Sequence, residues 1–196
     1  HPDIVITHLL HPHSFKALKL CLERSIPCYL VTHAPFNVER RFPLNVLTFL
    51  YGYTNKSNLK RFTKIIAITK WESPYLAKLG VNNNNLVYIP NGLPKEFFTQ
   101  KKVETSRDVL FLGRISPVKN LEILVKTAKL LPKINFTIVG AAEGEYIEKI
   151  KHLIKSLELK NIQIYPPVYN LKEKIKLIDE HKIFVLPSKR EAMPQV

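Results

Sequence analysis

Short runs of strand character alternate with amphipathic segments along almost the whole chain. The strand-like runs are 3–7 (DIVIT), 28–32 (CYLVT), 64–68 (KIIAI), 86–90 (LVYIP), 109–113 (VLFLG), 135–140 (NFTIVG), 161–165 (NIQIY) and 182–186 (KIFVL). Residues 14–25 carry Phe15, Leu18, Leu20, Cys21 and Leu22 at helical spacing. Residues 43–62 read as a long aromatic and basic helix, interrupted near Gly52. Thr69 with Glu72 forms a capping box for a helix through Leu79, and Gly80 is its stop. Further helices are expected over 118–131, with Leu121, Leu124, Val125, Ala128 and Leu131 on one face, over 145–158 and over 170–181. Strands separated by helices of about a dozen residues imply βαβ units and parallel sheets.

The alternation pauses once. Asn91-Gly92 is a turn signal, and 94–107 is polar, contains Pro94 and lacks periodicity. The chain is therefore read as α/β, with two Rossmann-like domains joined by a linker: 1–93, linker 94–107, and 108–196. His1-Pro2-Asp3 runs directly into a buried-type strand, and Val196 follows an unfinished loop. Both domains are thus expected to be incomplete, in a fragment of a larger enzyme.

Composition bounds the partners. The 196 residues are 45% hydrophobic, enough for a packed core in one domain or two small ones. Eleven Lys/Arg and four Asp/Glu precede residue 95, and nineteen and twelve follow, so the net charge of +14 is shared evenly. Such a charge favours nucleotides, phospholipid surfaces and nucleic acid without choosing among them. Cys21 and Cys28 read as buried, reduced thiols of a cytosolic protein. No apolar run approaches the ~20 residues of a membrane span, and no signal peptide is visible. A cytoplasmic location is expected.

Two loops carry the candidate chemistry. Gly113-Arg114 ends one strand, and Lys119 is expected to open the next helix. A glycine there lets backbone approach a ligand, and cations beside helix N–H groups suit an anion. Glu191 follows Pro187-Ser188 after the last strand. Loops at the carboxyl ends of strands in an open α/β sheet share one crevice. Cations and a carboxylate there suit a ligand with a phosphate end and a hydroxyl-rich end, as in a nucleotide-sugar. The plainer alternatives are two solvated cations and an exposed loop carboxylate beside Lys189 and Arg190. Gly140 closes another strand in the same way, but no G-x-G-x-x-G follows it.

Other patterns point elsewhere or nowhere. His8 and His33 each follow a strand, and His11 and His13 flank Pro12; His8, His11 and His13 suggest a cluster, but their spacing fits no strong zinc pattern, no cysteine or acidic ligand accompanies them, and no metal site is expected. The three aspartates, Asp3, Asp108 and Asp179, make no D-x-D pair, and neither a P-loop nor a G-x-S-x-G is present. Segment 42–64 is apolar and aromatic, then basic, with Lys56, Lys60 and Lys64 expected on one helical face. That mixture fits an element lying on an anionic membrane surface, peripheral at the inner face. It equally fits a core-packing helix with a solvated end. The aromatics do not interleave with the cations as base-stacking platforms do, so no specific nucleic-acid partner is expected.

Four segments, in order and properly spaced, carry a family resemblance. LVYIPNGLPKEFF (86–98), FLGRISPVKNLEILVKTAKLL (111–131), FTIVGAAEGEY (136–146) and IFVLPSKREAMP (183–194) resemble the GT-B-fold glycosyltransferases of family four. The resemblance covers essentially the whole chain. It implies that 1–93 belongs to the acceptor-side domain and that 108–196 binds the nucleotide-sugar. It implies that Arg114 and Lys119 bind the donor diphosphate beside Gly113, and that Glu191, the first glutamate of an E-x7-E element, contacts the transferred sugar beside Ser188. It implies that His33 faces the donor sugar and reaction centre, and that the base rests near Pro167 and Val168, with Gly140 in the donor site. The second glutamate of E-x7-E would fall at position 199, and the family's N-terminal glycine-rich loop before His1. YPPV at 165–168 departs from the commoner Phe-Leu-Gly pattern. The implied reaction is retaining, metal-independent transfer from a nucleotide-diphosphate sugar to a hydroxyl of a glycan or lipid-linked acceptor, with no cofactor. A GT-B sugar phosphorylase and a basic, non-enzymatic Rossmann-like module that binds membranes or nucleic acid are the alternatives.

Overall fold

The computed structural model describes residues 2–33, 43–98, 106–189 and 191–196, apart from the side chains of 44, 45, 48 and 49. The chain divides into two compact units, His1–Gly92 with Ala192–Gln195, and Leu93–Glu191 with Val196.

The first unit runs β1 (Val5–His8), α1 (Pro12–Glu23), β2 (Cys28–Val31), α2 (Leu44–Thr54), α3 (Lys56–Leu59), β3 (Lys64–Ala67), α4 (Ser73–Lys78) and β4 (Leu86–Tyr88). The four strands form one parallel sheet in the order β1-β2-β3-β4. Cys28 and Leu30 of β2 and Ile65 and Ala67 of β3 are buried with Leu18 and Cys21 of α1 and Leu76 of α4. Pro12 begins α1, where its missing N–H costs nothing. Gly80, at φ 81°, turns the chain after α4 in a conformation that side chains disfavour.

Two expectations for 43–62 fail. The helix continues through Gly52 and breaks at Asn55, between α2 and α3. The Asn55 amide side chain donates to the Tyr51 carbonyl at 2.9 Å, so a side chain competes with the backbone at the break. Nor do three lysines share a helical face. Lys56 opens α3 and Lys60 caps it, but Lys64 opens β3 and donates to the Asn84 carbonyl at 2.6 Å.

The second unit contains β5 (Arg107–Leu112), α5 (Leu121–Leu130), β6 (Phe136–Val139), α6 (Tyr146–Ser156), β7 (Ile162–Tyr165), α7 (Leu171–Asp179) and β8 (His181–Phe184). Its sheet is again parallel, in the order β7-β6-β5-β8. Residues 109–112 and 136–139 are buried throughout, as expected where a parallel sheet is covered on both faces. Leu121, Leu124, Val125 and Ala128 bury the inner face of α5. Leu131, expected on that face, caps the helix and is exposed. Of the segment read as a linker, Lys95–Phe98 form a 3-10 turn, Arg107 already belongs to β5, and 99–105 lie outside the described residues.

The strand order matters for function. From β5 the chain steps to β6 and β7 on one side, then crosses to β8 on the other. The order of the strands thus reverses between β5 and β8, and open α/β sheets form their ligand crevice at such a point.

The loops after β5 and β6 are pressed together. A methyl group at Gly140 would lie 1.7 Å from the carbonyl oxygen of Gly113, whereas one at Gly92 would meet nothing within 4 Å. Gly140→Ala is therefore expected to cost about 3 kcal/mol, at the upper end for overpacking, and Gly92→Ala no more than ~0.5 kcal/mol. Urea unfolding midpoints of the two variants check this.

Candidate functional site

The loop leaving β5 is held from both sides within the second unit. On one side, Gly113 N–H donates to the Val139 carbonyl at 3.0 Å, Ile115 N–H to Ala141 at 2.8 Å, and Glu143 N–H back to Ile115 at 3.0 Å. On the other, Lys189 N–H donates to the Val118 carbonyl at 2.9 Å, and the Asn120 side chain to the Pro187 carbonyl at 3.3 Å. The β5 loop thus joins the β6 loop to the β8 loop.

These backbone bonds set the charged groups. Arg114 is 68% exposed at its side chain and lies 3.6 Å from Glu143. Solvent screens such a pair, which contributes at most ~1 kcal/mol. Lys119 and Glu191 are more enclosed, at 13% and 27% exposure, and the ammonium donates directly to the carboxylate. The structure therefore brings Lys119 and Glu191 together, and Arg114 to a carboxylate, Glu143, that the sequence reading passed over. Nearby, the hydroxyls of Ser116 and Ser188 are buried without a hydrogen-bond partner.

The expected start of α5 needs correction. Lys119 ends a 3-10 turn, Pro117–Lys119, and does not open the helix. Asn120 follows in the left-handed region, at φ 54° and ψ 46°, and α5 begins at Leu121. Asparagine tolerates that conformation better than most residues. The first helical amide is not free for an anion: Leu121 N–H donates to the Tyr146 hydroxyl at 3.0 Å. Tyr146 in turn donates to Glu122, which Lys149 also reaches at 2.9 Å. Burial and then Glu122 push the Tyr146 phenol up, so it stays a donor. Burial alone would raise Glu122, but the bonds from Tyr146 and Lys149 outweigh it and leave its carboxyl below the usual range.

Gly140 directly follows β6, its amide bonded to the Tyr165 carbonyl at 3.3 Å. Val168 packs against Leu110, Leu112 and Val139, and Pro167 before it is half-buried.

In the first unit, His33 leaves β2 at φ 52°. Its Nε2 lies 2.7 Å from Nδ1 of His8, with the rings stacked at 5.0 Å. Glu72, fully buried, anchors the neighbouring backbone. It accepts from the amides of Ile68 and Thr69 at 3.0 Å each, as a capping box requires, from the Thr69 hydroxyl at 3.1 Å, and from the Thr32 hydroxyl. His33 is shifted below its ordinary 6.5, by burial first and by His8 second, with Glu72 opposing. The His11 and His13 rings lie 4.8 Å apart, tilted at 31°, and among the described residues no group of three or more His, Cys, Asp or Glu is placed to hold a metal ion. Cys21 and Cys28 are buried and free, and burial, then Cys21, pushes the Cys28 thiol up to about 12. Among the described residues no helix is long and apolar enough to cross a membrane.

Comparison with known proteins decides the family. The model of glycosyl transferases group 1 matches residues 94–196. The chain belongs to that family. The model of glycosyltransferase family 4 matches residues 1–97, so the GT-B assignment of the two parallel sheets holds. No curated protein matches by sequence. Among solved structures, Anabaena HepE in complex with UDP is similar at TM-score 0.77 and 15% identity, over 95% of this chain and 54% of that one. Staphylococcus aureus TarM, solved as a variant with fondaparinux, alpha-GlcNAc-glycerol and UDP, is similar at TM-score 0.70 and 19% identity, over 96% and 38%. UDP-GlcNAc 2-epimerase from Methanocaldococcus jannaschii is similar at TM-score 0.51 and 14% identity, over 93% and 55%. The chain thus spans about half the length of HepE.

Two outcomes follow for this group 1 chain. Tyr146→Phe strands the Leu121 amide and removes one of the donors to Glu122, and is expected to lower stability by about 1–3 kcal/mol in denaturant titrations. His33 is more easily protonated unfolded than folded. Stability is therefore expected to be fully present above pH 6.5 and to fall as the pH drops from there toward the lowered folded value. Melting temperatures of wild type and His33→Asn across that window check the slope, which should be shallower in the variant.

Proposed function

We propose that the complete protein transfers a sugar from a nucleoside-diphosphate sugar to a hydroxyl of a glycan or lipid-linked acceptor, with retained anomeric configuration and without a metal. The observation that carries this is the enclosed Lys119–Glu191 pair beside the β5–β8 reversal, with Arg114 on the same loop. A diphosphate can take Lys119 and Arg114 as counter-ions. The carboxylate of Glu191 is then released to accept hydrogen bonds from sugar hydroxyls. As the sugar leaves, negative charge grows on the diphosphate, and the two cations stabilise it where a metal would otherwise be needed. The buried hydroxyls of Ser116 and Ser188 are further proposed ligand contacts, and Gly113, Gly140, Pro167 and Val168 are proposed walls of the donor site. His33 is the proposed site residue of the first unit, on the family resemblance.

HepE has been solved with UDP and with UDP-glucose, which makes uridine the first base to try. Membership of the transferase family favours transfer over the epimerisation named for the Methanocaldococcus jannaschii neighbour. An anionic membrane surface is the proposed partner of segment 42–64, where Leu47 and Leu50 are exposed on α2 and Lys56 follows.

Calorimetry with UDP and UDP-sugars tests the donor site on this chain. Arg114→Ala and Lys119→Ala are each expected to weaken UDP about 10–100-fold, the worth of a charge-assisted hydrogen bond. Glu191→Gln is expected to weaken the UDP-sugar more than UDP. Unchanged UDP affinity in both cation variants would sink the assignment. Sedimentation with anionic and neutral vesicles tests the membrane partner, and equal recovery with both would remove it.

A further inference from the structure

Two imidazoles stand at the carboxyl ends of adjacent strands. His8 is the last residue of β1, paired in register with Val31, and His33 lies two residues further along the neighbouring chain segment. The backbone around both is fixed. Leu9 N–H donates to the Val31 carbonyl at 2.8 Å, and Thr32 N–H to the Ile66 carbonyl at 3.1 Å. Thr32 is fully buried, and its hydroxyl is held by Glu72. His33 then adopts a left-handed backbone that costs a residue with a side chain about 1 kcal/mol or more. That conformation places its ring nitrogen 2.7 Å from His8.

A contact that short has one chemical reading. One ring nitrogen carries the hydrogen and the other offers its lone pair. If both were protonated, two N–H groups and two positive charges would face each other. We propose that His8 and His33 act as one proton-holding unit, in which His8 is a positioning residue that fixes the ring orientation and tautomer of His33 and keeps the pair from carrying two charges. Among the described residues, the titratable groups that act on His33 are His8 from β1 and Glu72 from the turn before α4. Glu72 favours a charge on His33, whereas burial and the neighbouring ring oppose it. A His33 held this way meets a hydroxyl ligand with a fixed nitrogen, a donor or an acceptor but not both.

The consequence for transfer rests on the proposed function, but the pairing does not, so the test has two arms. In the first, ring-nitrogen NMR of the whole chain follows both histidines from pH 8 to 4. The pair is expected to take up its protons in two steps more than tenfold apart in affinity, where interacting sites titrate jointly. His8→Phe keeps a stacking ring without nitrogens and should leave His33 with a single step between those two. His8→Gln, which can still donate or accept, should restore the wild-type tautomer of His33. Independent titrations within threefold of each other, or a His33 spectrum unchanged in a folded His8→Phe variant, would overturn the proposal. In the second arm, the complete enzyme should show a shifted pH profile of kcat in His8→Phe, with the KM for donor within about twofold of wild type. A paired titration in the first arm with no sugar transfer in the second sustains the pairing and removes the function. Transfer with unpaired rings does the reverse.

Discussion

The carbonyl of Gly113 lies where any side chain at position 140 would have to begin. That close approach lets the loops after β5 and β6 bond through their backbones, from Gly113 to Glu143. Because the β5 loop is pinned there, its next residues can reach the opposite way, to Pro187 and Lys189 beyond β8. The charged side chains inherit their places from this backbone scaffold. Their own attractions are too exposed, at Arg114, or too costly to desolvate, at Lys119, to build it.

The chain is strongly basic, yet the cations of the candidate site are locally balanced. Glu143 faces Arg114, Glu191 holds Lys119, and Glu122 accepts from Lys149 beside the start of α5. An anionic ligand would therefore exchange partners with carboxylates already present. The exchange makes geometry count, since a ligand must offer the carboxylates something in return. A hydroxyl-bearing group attached to a phosphate does so; a bare phosphate does not.

Strands and most helices were legible because both sheets are parallel, so short apolar runs recur at regular spacing between helices, most plainly in the fully buried stretches of β5 and β6. Gly113, Lys119 and Glu191 were legible by position, at strand ends near the sheet reversal. The details that failed are those set by single side chains. Asn55 breaks a helix that Gly52 was expected to break, and Asn120 in a left-handed conformation delays α5 past Lys119. Leu131 fits the apolar period but falls after the last helical turn. Glu143 lacked any sequence signal beyond its place after a glycine loop. The pairing of His8 with His33 had a signal, a histidine after each of two consecutive strands, which the nearby His11 and His13 obscured by suggesting a cluster.

Tyr146 sits 25 positions beyond the amide it caps. Leu121 has no nearer side chain serving that role, since Asn120 turns away to Pro187. The first turn of α5 is therefore completed by a different helix, and the cation-bearing loop before it is finished only when α6 has docked. A change that shifted α6 alone would act at a distance on that loop, through the reach of one phenol.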